Sequence, residues 1–600
     1  MKKALKHIGL MAAILAGGAV IGYLLIVLSY GLIKIAPEKY EAAWEILDDE
    51  GYHPRDYEHN RRTDYYFEQL PDILDLATDQ IIVTHSMEAP EGGAFRHSVI
   101  ESYYRYWHGY IIFWRPLLKF FELGELRIFN FFLQASLAIL LAWLLWKGTG
   151  KKRFALAWLT VYTVLVPNSM ALNFQYSSSY YVAVLSAIAL MLFKGYFAKP
   201  CRYFYLFLVT GMLTVYFDFL TYPLLTWALP ACIMLLVLPY ARKVILSAVF
   251  WATGYVIFWA EKWLIASIIT GENAFADGLN QIVLRSGSDG YGLADRIESF
   301  NRNWAHLSFL PFVILFLIWI LWWVVCYFAK GLKPDARALS FALIALSSFV
   351  WLFAAAQHTG SHPHFAWRNS AAAVTAGLML IGVGTDTPWK EAKKPSVRTL
   401  LMRAGIFAAI CAVTLVCYRF IPVETYFSEN FGAEVTSEKV LSPGEKEAAR
   451  FTITPLYERI CQIVPVVDCG DASGNIDITV LDGGSTFYSE SIDVADREGT
   501  RTLNTKVDWR LTKGKPVDVI ISTENATAPV TVWIPEEGAG NAADISAMMF
   551  GIVYYSHFAN KTDTLFYLMS WFSLFMMIVY CFCGKIKIGS EGKSQLTNMI

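Results

Sequence analysis

The chain has 600 residues, of which 55% are hydrophobic, 15% aromatic and only 17% charged, below the roughly one-quarter charged content of a soluble chain. Its net charge is -1, so no overall positive field argues for nucleic acid as a partner. The composition is that of a polytopic membrane protein, and no Walker, Rossmann or zinc-finger motif appears.

The apolar run 8–35 is too long for a signal peptide and no small-x-small cleavage site ends it, so it reads as a retained first span. Apolar runs able to cross a ~30 Å hydrocarbon core recur at 128–146, 154–171, 180–193, 203–220, 222–240, 244–269, 307–328, 338–356, 370–383, 400–420 and 564–582. With the first, that makes about twelve spans. Every second connection is basic, as in Lys147–Arg153, Lys194–Arg202, Lys330–Arg337 and Lys390–Arg398. The positive-inside rule then puts those connections and both termini in the cytoplasm.

The opposite side holds the large segments. The first outer loop, 37–127, contains KYEAAWEILDDEG and YYFEQLPDILDLA, both with apolar residues at helical spacing. From Ser98 to Phe121 it is aromatic-rich, helix-compatible and expected to break at Pro116. Such a stretch suits a helix at the membrane interface or one that caps a bundle. After 421 the character changes. ARFTITP, NIDITVLD, PVDVIIST and APVTVWIP alternate or are β-branched, with Gly, Asp, Asn and Pro turns between them. The expected architecture is mainly α: a transmembrane module over 1–421, an outer β-sandwich over 422–545, a final span with its approach over 546–584, and a cytoplasmic tail over 585–600. Cys461 and Cys469 lie in the β segment and, outside the cytosol, are candidates for a disulfide across a hairpin.

Candidate chemistry gathers on the outer side. LATDQIIVTHS sets one acid, Asp79, among apolar residues. Burial raises such a pKa and a nearby arginine lowers it, and either balance suits a general base for a sugar hydroxyl. The alternative is a helix cap or a solvated loop acid, with Asp48, Asp49 and Asp64 as rivals. In RYWHGYIIFWRP, Trp107, His108 and Tyr110 offer flat faces with polar tips, the surface that stacks on a sugar ring. Arg105 and Arg115 suit phosphate, and Gly109 after His108 permits close backbone approach. Interfacial anchoring is the plainer reading of the tyrosines. QHTGSHPHFAWRNS places His358, His362 and His364 in a short loop before Arg368. An arginine so near the membrane needs an anionic partner, and a lipid phosphate fits. Three histidines also allow a divalent metal, although no acid accompanies them. Gln175 and Tyr176 offer neutral hydrogen-bonding groups, Asp218 is a second acid, and Arg285, Asp289 and Tyr291 fall in a glycine-rich turn fit for a lid.

The long first outer loop, its acid, and the pairing of TDQIIV with YYRYWHGYIIFWRPLL resemble the GT-C class of multi-pass glycosyltransferases. The resemblance covers most of the chain by architecture. It implies a polyprenyl-phosphate-linked sugar donor, a glycan or lipid acceptor in the cell envelope, and transfer on the outer face. It also implies a base or metal-binding acid in the first outer loop, here Asp79, and a lipid phosphate held by basic residues near the membrane, here Arg368 or Arg115. His362 and His364 would join Arg368, and Trp107, His108, Tyr110, Gln175 and Tyr176 would line the sugar pocket. No cofactor is required beyond an optional divalent metal. A transporter or lipid flippase, or an envelope scaffold, is the alternative expectation.

Overall fold

The computed structural model describes residues 2–49, 61–65, 71–90, 92–99, 104–238, 243–287, 292–330, 337–384, 395–420, 424–432, 436–454, 459–494, 500–502, 509–510, 516–536, 548–557, 565, 568–573 and 575. It divides into two compact units: Met1–Phe420 with Leu565–Ile600, and Ile421–Thr564.

The first unit is helical. It opens with α1 (Lys2–Leu32) and α2 (Pro37–Asp49), then a hairpin of β1 (Arg61–Tyr65) and β2 (Pro71–Asp75). α3 (Leu76–Met87), α4 (Ala94–His97) and α5 (Ile111–Phe120) complete the first loop. α6 (Leu123–Thr149), α7 (Lys152–Val164), α8 (Pro167–Leu172), α9 (Phe174–Leu192), α10 (Lys194–Phe197), α11 (Arg202–Phe217), α12 (Leu224–Val237) and α13 (Lys243–Thr270) build most of the bundle. α14 (Ala274–Ser286) and α15 (Leu293–Ala305) follow, then α16 (Leu310–Lys330), α17 (Ala338–Ala354), α18 (Ala356–Ser361), α19 (Pro363–Ala366), α20 (Ala371–Gly384) and α21 (Val397–Phe420).

Five of these are long and apolar enough to cross a membrane: Leu5–Leu32, Leu123–Thr149, Val244–Thr270, Pro311–Ala329 and Val397–Val416. Arg202–Phe217, Leu224–Val237 and Ala338–Ala354 are shorter apolar helices. The chain thus reads as a membrane protein. Eleven of the twelve expected spans coincide with helices, but they are not all full-length crossings. The run 154–171 is cut into α7 and α8, because Val166 takes a left-handed conformation (φ 56°) before Pro167. The run 564–582 falls mostly outside the described residues, as does the tail.

Two expectations in the first loop change. Within the segment 65–77, Tyr65 and Pro71–Asp75 are strand rather than helix: β1 and β2 pair antiparallel from Arg61↔Asp75 to Tyr65↔Pro71. Pro116 does not break its helix. α5 runs through it to Phe120, with Ile111, Trp114, Arg115 and Leu118 buried. The lost Pro116 N–H costs one backbone bond, and burial of that face holds the helix together. Where α11 crosses α13 the backbones nearly touch. A Cβ on Gly211 would come 2.0 Å from the Trp251 carbonyl oxygen, and one on Gly254 2.1 Å from that of Leu208, so only glycine admits the crossing.

The second unit is all β. One sheet runs β3 (Glu424–Gly432), β13 (Met548–His557), β6 (Arg459–Asp468), β12 (Val530–Pro535), β4 (Thr436–Leu441), with β9 (Thr500–Thr502) and β10 (Trp509–Arg510) also pairing to β6. The other runs β5 (Ala449–Ile453), β11 (Val517–Ala526), β7 (Gly474–Asp482), β8 (Ser485–Asp493). Alternating side chains from both sheets, such as Val519 and Ile521 against Phe550 and Ile552, share one apolar core. The unit extends past the expected boundary at 545. Met548–His557 is a strand between β3 and β6 rather than the approach to a span. The described backbone does not bring Cys461 and Cys469 together. Cys461 lies on β6 and Cys469 just beyond its end, so about 26 Å of extended strand separates them, where a bridge needs Cα atoms within ~7 Å.

Candidate functional site

Asp79 is fully buried in the first turn of α3. One carboxylate oxygen accepts the Phe174 N–H (2.7 Å), the first amide of α9, and the other lies 3.5 Å from Arg127 Nη2. The acid therefore caps a helix from a distant segment and neutralises a buried guanidinium. Trp114 stacks on Phe174 at 3.9 Å and closes the arrangement. Arg127 continues along α6 into Asn130 and Gln134, both buried. Asn130 donates to the Ala171 carbonyl (2.8 Å) and to Ser177 (2.8 Å), and Gln134 donates to Ser177 (3.0 Å). This polar stripe at spacings of three and four on an apolar helix was legible but not singled out.

Asp218 has a different setting. It ends α11 and opens a turn, 218–223, outside the helices. Its Oδ2 accepts the Thr221 N–H at 2.9 Å, and the hydroxyls of Thr221 and Ser179 adjoin the carboxyl. Oδ1 makes no hydrogen bond of normal geometry among the described residues. Burial drives its pKa up, hydrogen bonding pulls back, and the result is about 6. Leu220 holds a left-handed φ of 66°, which a side chain adopts only when its surroundings insist. They do so here: His358 Nε2 donates to the Leu220 carbonyl (3.0 Å) and Asn369 Nδ2 to that of Thr221 (3.2 Å).

The segment 356–370 supplies the basic half of the site. Arg368 is fully buried, 4.1 Å over the Tyr176 ring and 4.8 Å from that of Trp367, and donates to the His364 carbonyl (3.1 Å). Trp367 stacks on His306 (5.6 Å). Burial, then the charges of Arg368 and His364, hold His306 down near a pKa of about 3. Tyr222 feels both Arg368 and Asp218 and donates its hydroxyl to the Tyr176 carbonyl. His358 sits 5.3 Å from His362, which stacks on Phe365 and lies 5.8 Å from His364. Burial, then Arg285, hold His358 well below its ordinary pKa. Gln175, the neighbour of Tyr176, is buried with a side-chain oxygen that makes no hydrogen bond among the described residues. No group of three His, Cys, Asp or Glu side chains among the described residues is placed to hold a metal.

The aromatic segment divides. His108 and Tyr110 both pack on Phe219, beside Asp218, at 5.4 Å. His108 has a positive φ of 57°. Gly109 donates to the Tyr216 carbonyl (2.8 Å), so close that a Cβ would come within 2.6 Å of that oxygen. Trp107 faces elsewhere. Its indole donates to the Phe258 carbonyl (2.8 Å), its ring stacks on Phe258, and it belongs to the core. Arg105 pairs with Asp277 of α14 at 3.2 Å.

Arg115 lies under the first loop. It donates to the carbonyls of Ile33 (3.0 Å), Ser86 (3.0 Å) and Glu88 (2.9 Å) and stacks on Tyr30. Burial lowers its pKa. The Glu88 carboxylate receives His85 (2.8 Å) and His97 (3.0 Å). Burial favours its neutral form, but the two histidine bonds outweigh this and bring it to about 2. These groups tie the loop together. The side chains of Asp48, Asp49, Asp64 and Cys461, and all of Asp289 and Tyr291, lie outside the described residues.

The structure thus brings together Tyr176, His362, His364, Arg368 and Asp218, with His108 and Tyr110 reaching the same turn through Phe219. It sets Asp79, Trp107 and Arg115 into other networks. His306, Asn369 and Ser179 were missed. Single polar residues in separate segments leave no pattern before folding. No protein-family model, no curated protein and no solved structure matches this chain.

Proposed function

We propose that the protein is an integral membrane glycosyltransferase of GT-C type. It takes a sugar from a polyprenyl-phosphate-linked donor and passes it to a glycan or lipid of the cell envelope on the extracytoplasmic face. The observation that carries this reading is an apolar groove that leads, through His306 and Trp367, to the buried Arg368. The groove, of about 180 Å³, runs between α16, α17, α20 and the helical residues 568–573, with Trp319, Trp323, Val374, Ile381 and Phe572 on its walls. Leu307 is among its lining residues, next in the chain to His306, which stacks on the Trp367 whose ring lies 4.8 Å from Arg368. A prenyl chain suits the walls, and a phosphate suits the Arg368 cation.

On this reading Asp218, not Asp79, takes the acceptor proton. Its carboxyl titrates near the operating pH, and Oδ1 offers an acceptor for a hydroxyl. Gln175 adds a second acceptor, and Tyr176 and Tyr222 hold Arg368 and Asp218 in register. Asp79 keeps α9 in place. The expected count of about twelve spans, with both termini cytoplasmic, belongs to the same proposal.

The test is donor turnover in lipid nanodiscs with a panel of polyprenyl-phosphate sugars and envelope extract as acceptor. Release of polyprenyl phosphate by wild type and its loss in Asp218→Asn and Arg368→Gln are expected. No consumption of any donor sinks the reading. If the same protein then moves labelled polyprenyl phosphate between leaflets, the groove serves a flippase.

A further inference from the structure

The helices α14 and α15 occupy the stretch between two membrane-crossing helices. Three residues, 271–273, separate α14 from α13, and four, 306–309, separate α15 from α16. Each therefore begins or ends within ~10–14 Å of a span. Both are two-faced. On α14, Phe275, Leu279, Ile282 and Val283 form one stripe at helical spacing and are 37–55% exposed, while Ala274 and Gly278 on the other side are buried, Gly278 against Trp263. On α15 the stripe is Leu293, Ile297, Phe300, Trp304. Its first half is exposed, and its second half stacks on Phe349 of α17.

That apolar surface does not stop at the hairpin. α17 exposes Leu339, Leu343, Leu346, Val350 and Phe353, a single row at spacings of four and three. The row runs into a groove of about 450 Å³ lined by Ile297, Phe300, Phe349, Val350, Phe353 and Ala354. The row meets the α15 stripe at this groove, where Arg296 of α15 lies over the Phe353 ring and donates to its carbonyl (3.0 Å). The result is an apolar face edged by a cation, and beside helices able to cross a membrane the solvent of such a face is acyl chain.

The hairpin also touches the acid turn. Arg285, in the last turn of α14, donates to His358 Nδ1 at 2.8 Å. The same ring donates from Nε2 to the carbonyl of Leu220, the left-handed residue that shapes the turn. One neutral tautomer serves both bonds, accepting at one nitrogen and donating at the other.

We propose that the α14–α15 hairpin is seated in the outer-leaflet interface by lipid acyl chains and that this seat, through Arg285 and His358, fixes the turn that presents Asp218. The occupant of the exposed stripe is bilayer lipid, and Arg285 is a positioning residue. The role assigned to the turn rests on the function proposed above; the seating and its link to the turn do not.

The test uses the full chain in nanodiscs containing a phospholipid with a diazirine in its acyl chain. Lipid adducts on the peptide 274–286 are expected after illumination, and their confinement to the spanning helices overturns the seating. Absence of lipid adducts at that peptide, together with its linkage to a second copy by a bifunctional cross-linker, would instead make the stripe an interface between copies, and also overturn it. The second readout is amide exchange. Leu279→Glu with Ile282→Glu is expected to cut adducts at least fivefold and to speed exchange at Thr221 and Leu224 at least tenfold. Arg285→Ala is expected to do the second without the first, and Arg285→Lys to fall between. Unchanged exchange at the turn in all three, with α9 still protected, overturns the coupling. Neither readout needs turnover, so a failed donor assay leaves both intact.

Discussion

Asp79 and Asp218 are both buried carboxylates beside α9, and they differ in what surrounds them. Asp79 faces a guanidinium and a helix's first amide, so its charge is balanced and already in use. Asp218 faces hydroxyls and the backbone amides of Leu220 and Thr221, so nothing of opposite sign is shown against it and burial decides its titration. A buried acid with a cation is part of the frame; a buried acid among neutral donors stays open to chemistry. On the function proposed above, the more conspicuous acid in the sequence is the structural one.

The sharpest way to break this contrast is to remove each acid in turn. Asp79→Ala leaves Arg127 buried without its counterion and is expected to cost about 3–5 kcal/mol, seen as an earlier denaturation midpoint in detergent. Asp79→Asn together with Arg127→Met should recover part of that loss. Asp218→Asn, which mimics the protonated acid, should match wild type in stability below pH 4 and equal or exceed it at pH 7, while donor turnover falls by about 10²–10⁴-fold. If instead Asp218→Asn unfolds the protein and Asp79→Asn does not, the two roles are reversed.

A pH series sharpens the same point. The fold raises the Asp218 pKa from 3.8 to about 6, so it favours the protonated carboxyl. Its contribution to stability is full below pH 4 and is lost as pH rises through 6, by on the order of 3 kcal/mol. Asp218→Asn should remove that slope. Turnover should run the other way, rising through pH 6 as the base ionises and then levelling. A wild-type rate that is flat from pH 5 to 8 would exclude Asp218 as the base.

The architecture was readable where residues act through periodicity. The long helices α1, α6, α13, α16 and α21 are apolar runs, and the alternating strands β5, β11 and β12 announce themselves. Failures came where a few residues override the pattern. Leu165–Pro167 turned one run into two helices, and at Tyr65 and Pro71–Asp75 helical spacing yielded to strand pairing. At the site, Arg368, His364, Tyr176, His108 and Tyr110 stood out as residue types. Which of them meet could not be read, because their segments lie far apart in the chain. Asp218 carried a signal, an acid before Thr-Tyr-Pro in an apolar run, but its weight comes from His358, Asn369 and Ser179, which only folding brings to it.

Two smaller effects separate backbone fit from covalent ties. Gly109→Ala would drive a methyl to 2.6 Å from the Tyr216 carbonyl oxygen. With the Tyr216 ring at 2.3 Å as well, α11 or that ring must shift by close to an ångström, which is expected to cost about 1–3 kcal/mol or more. Because Phe219 and Asp218 follow Tyr216 directly, the same variant should also slow turnover, and lost stability with an unchanged rate would mean that the approach is packing alone. At the other extreme, the β unit should ignore its cysteines. With Cys461 and Cys469 eight residues apart along β6 and its end, reductant should shift the melting of that unit by less than ~0.5 kcal/mol, against the 2–5 kcal/mol expected on losing a native bridge. Cys461→Ser should match wild type under oxidising conditions. A large reductant effect would require β6 to fold back on itself, and its pairing with β13 and β12 along most of its length forbids that.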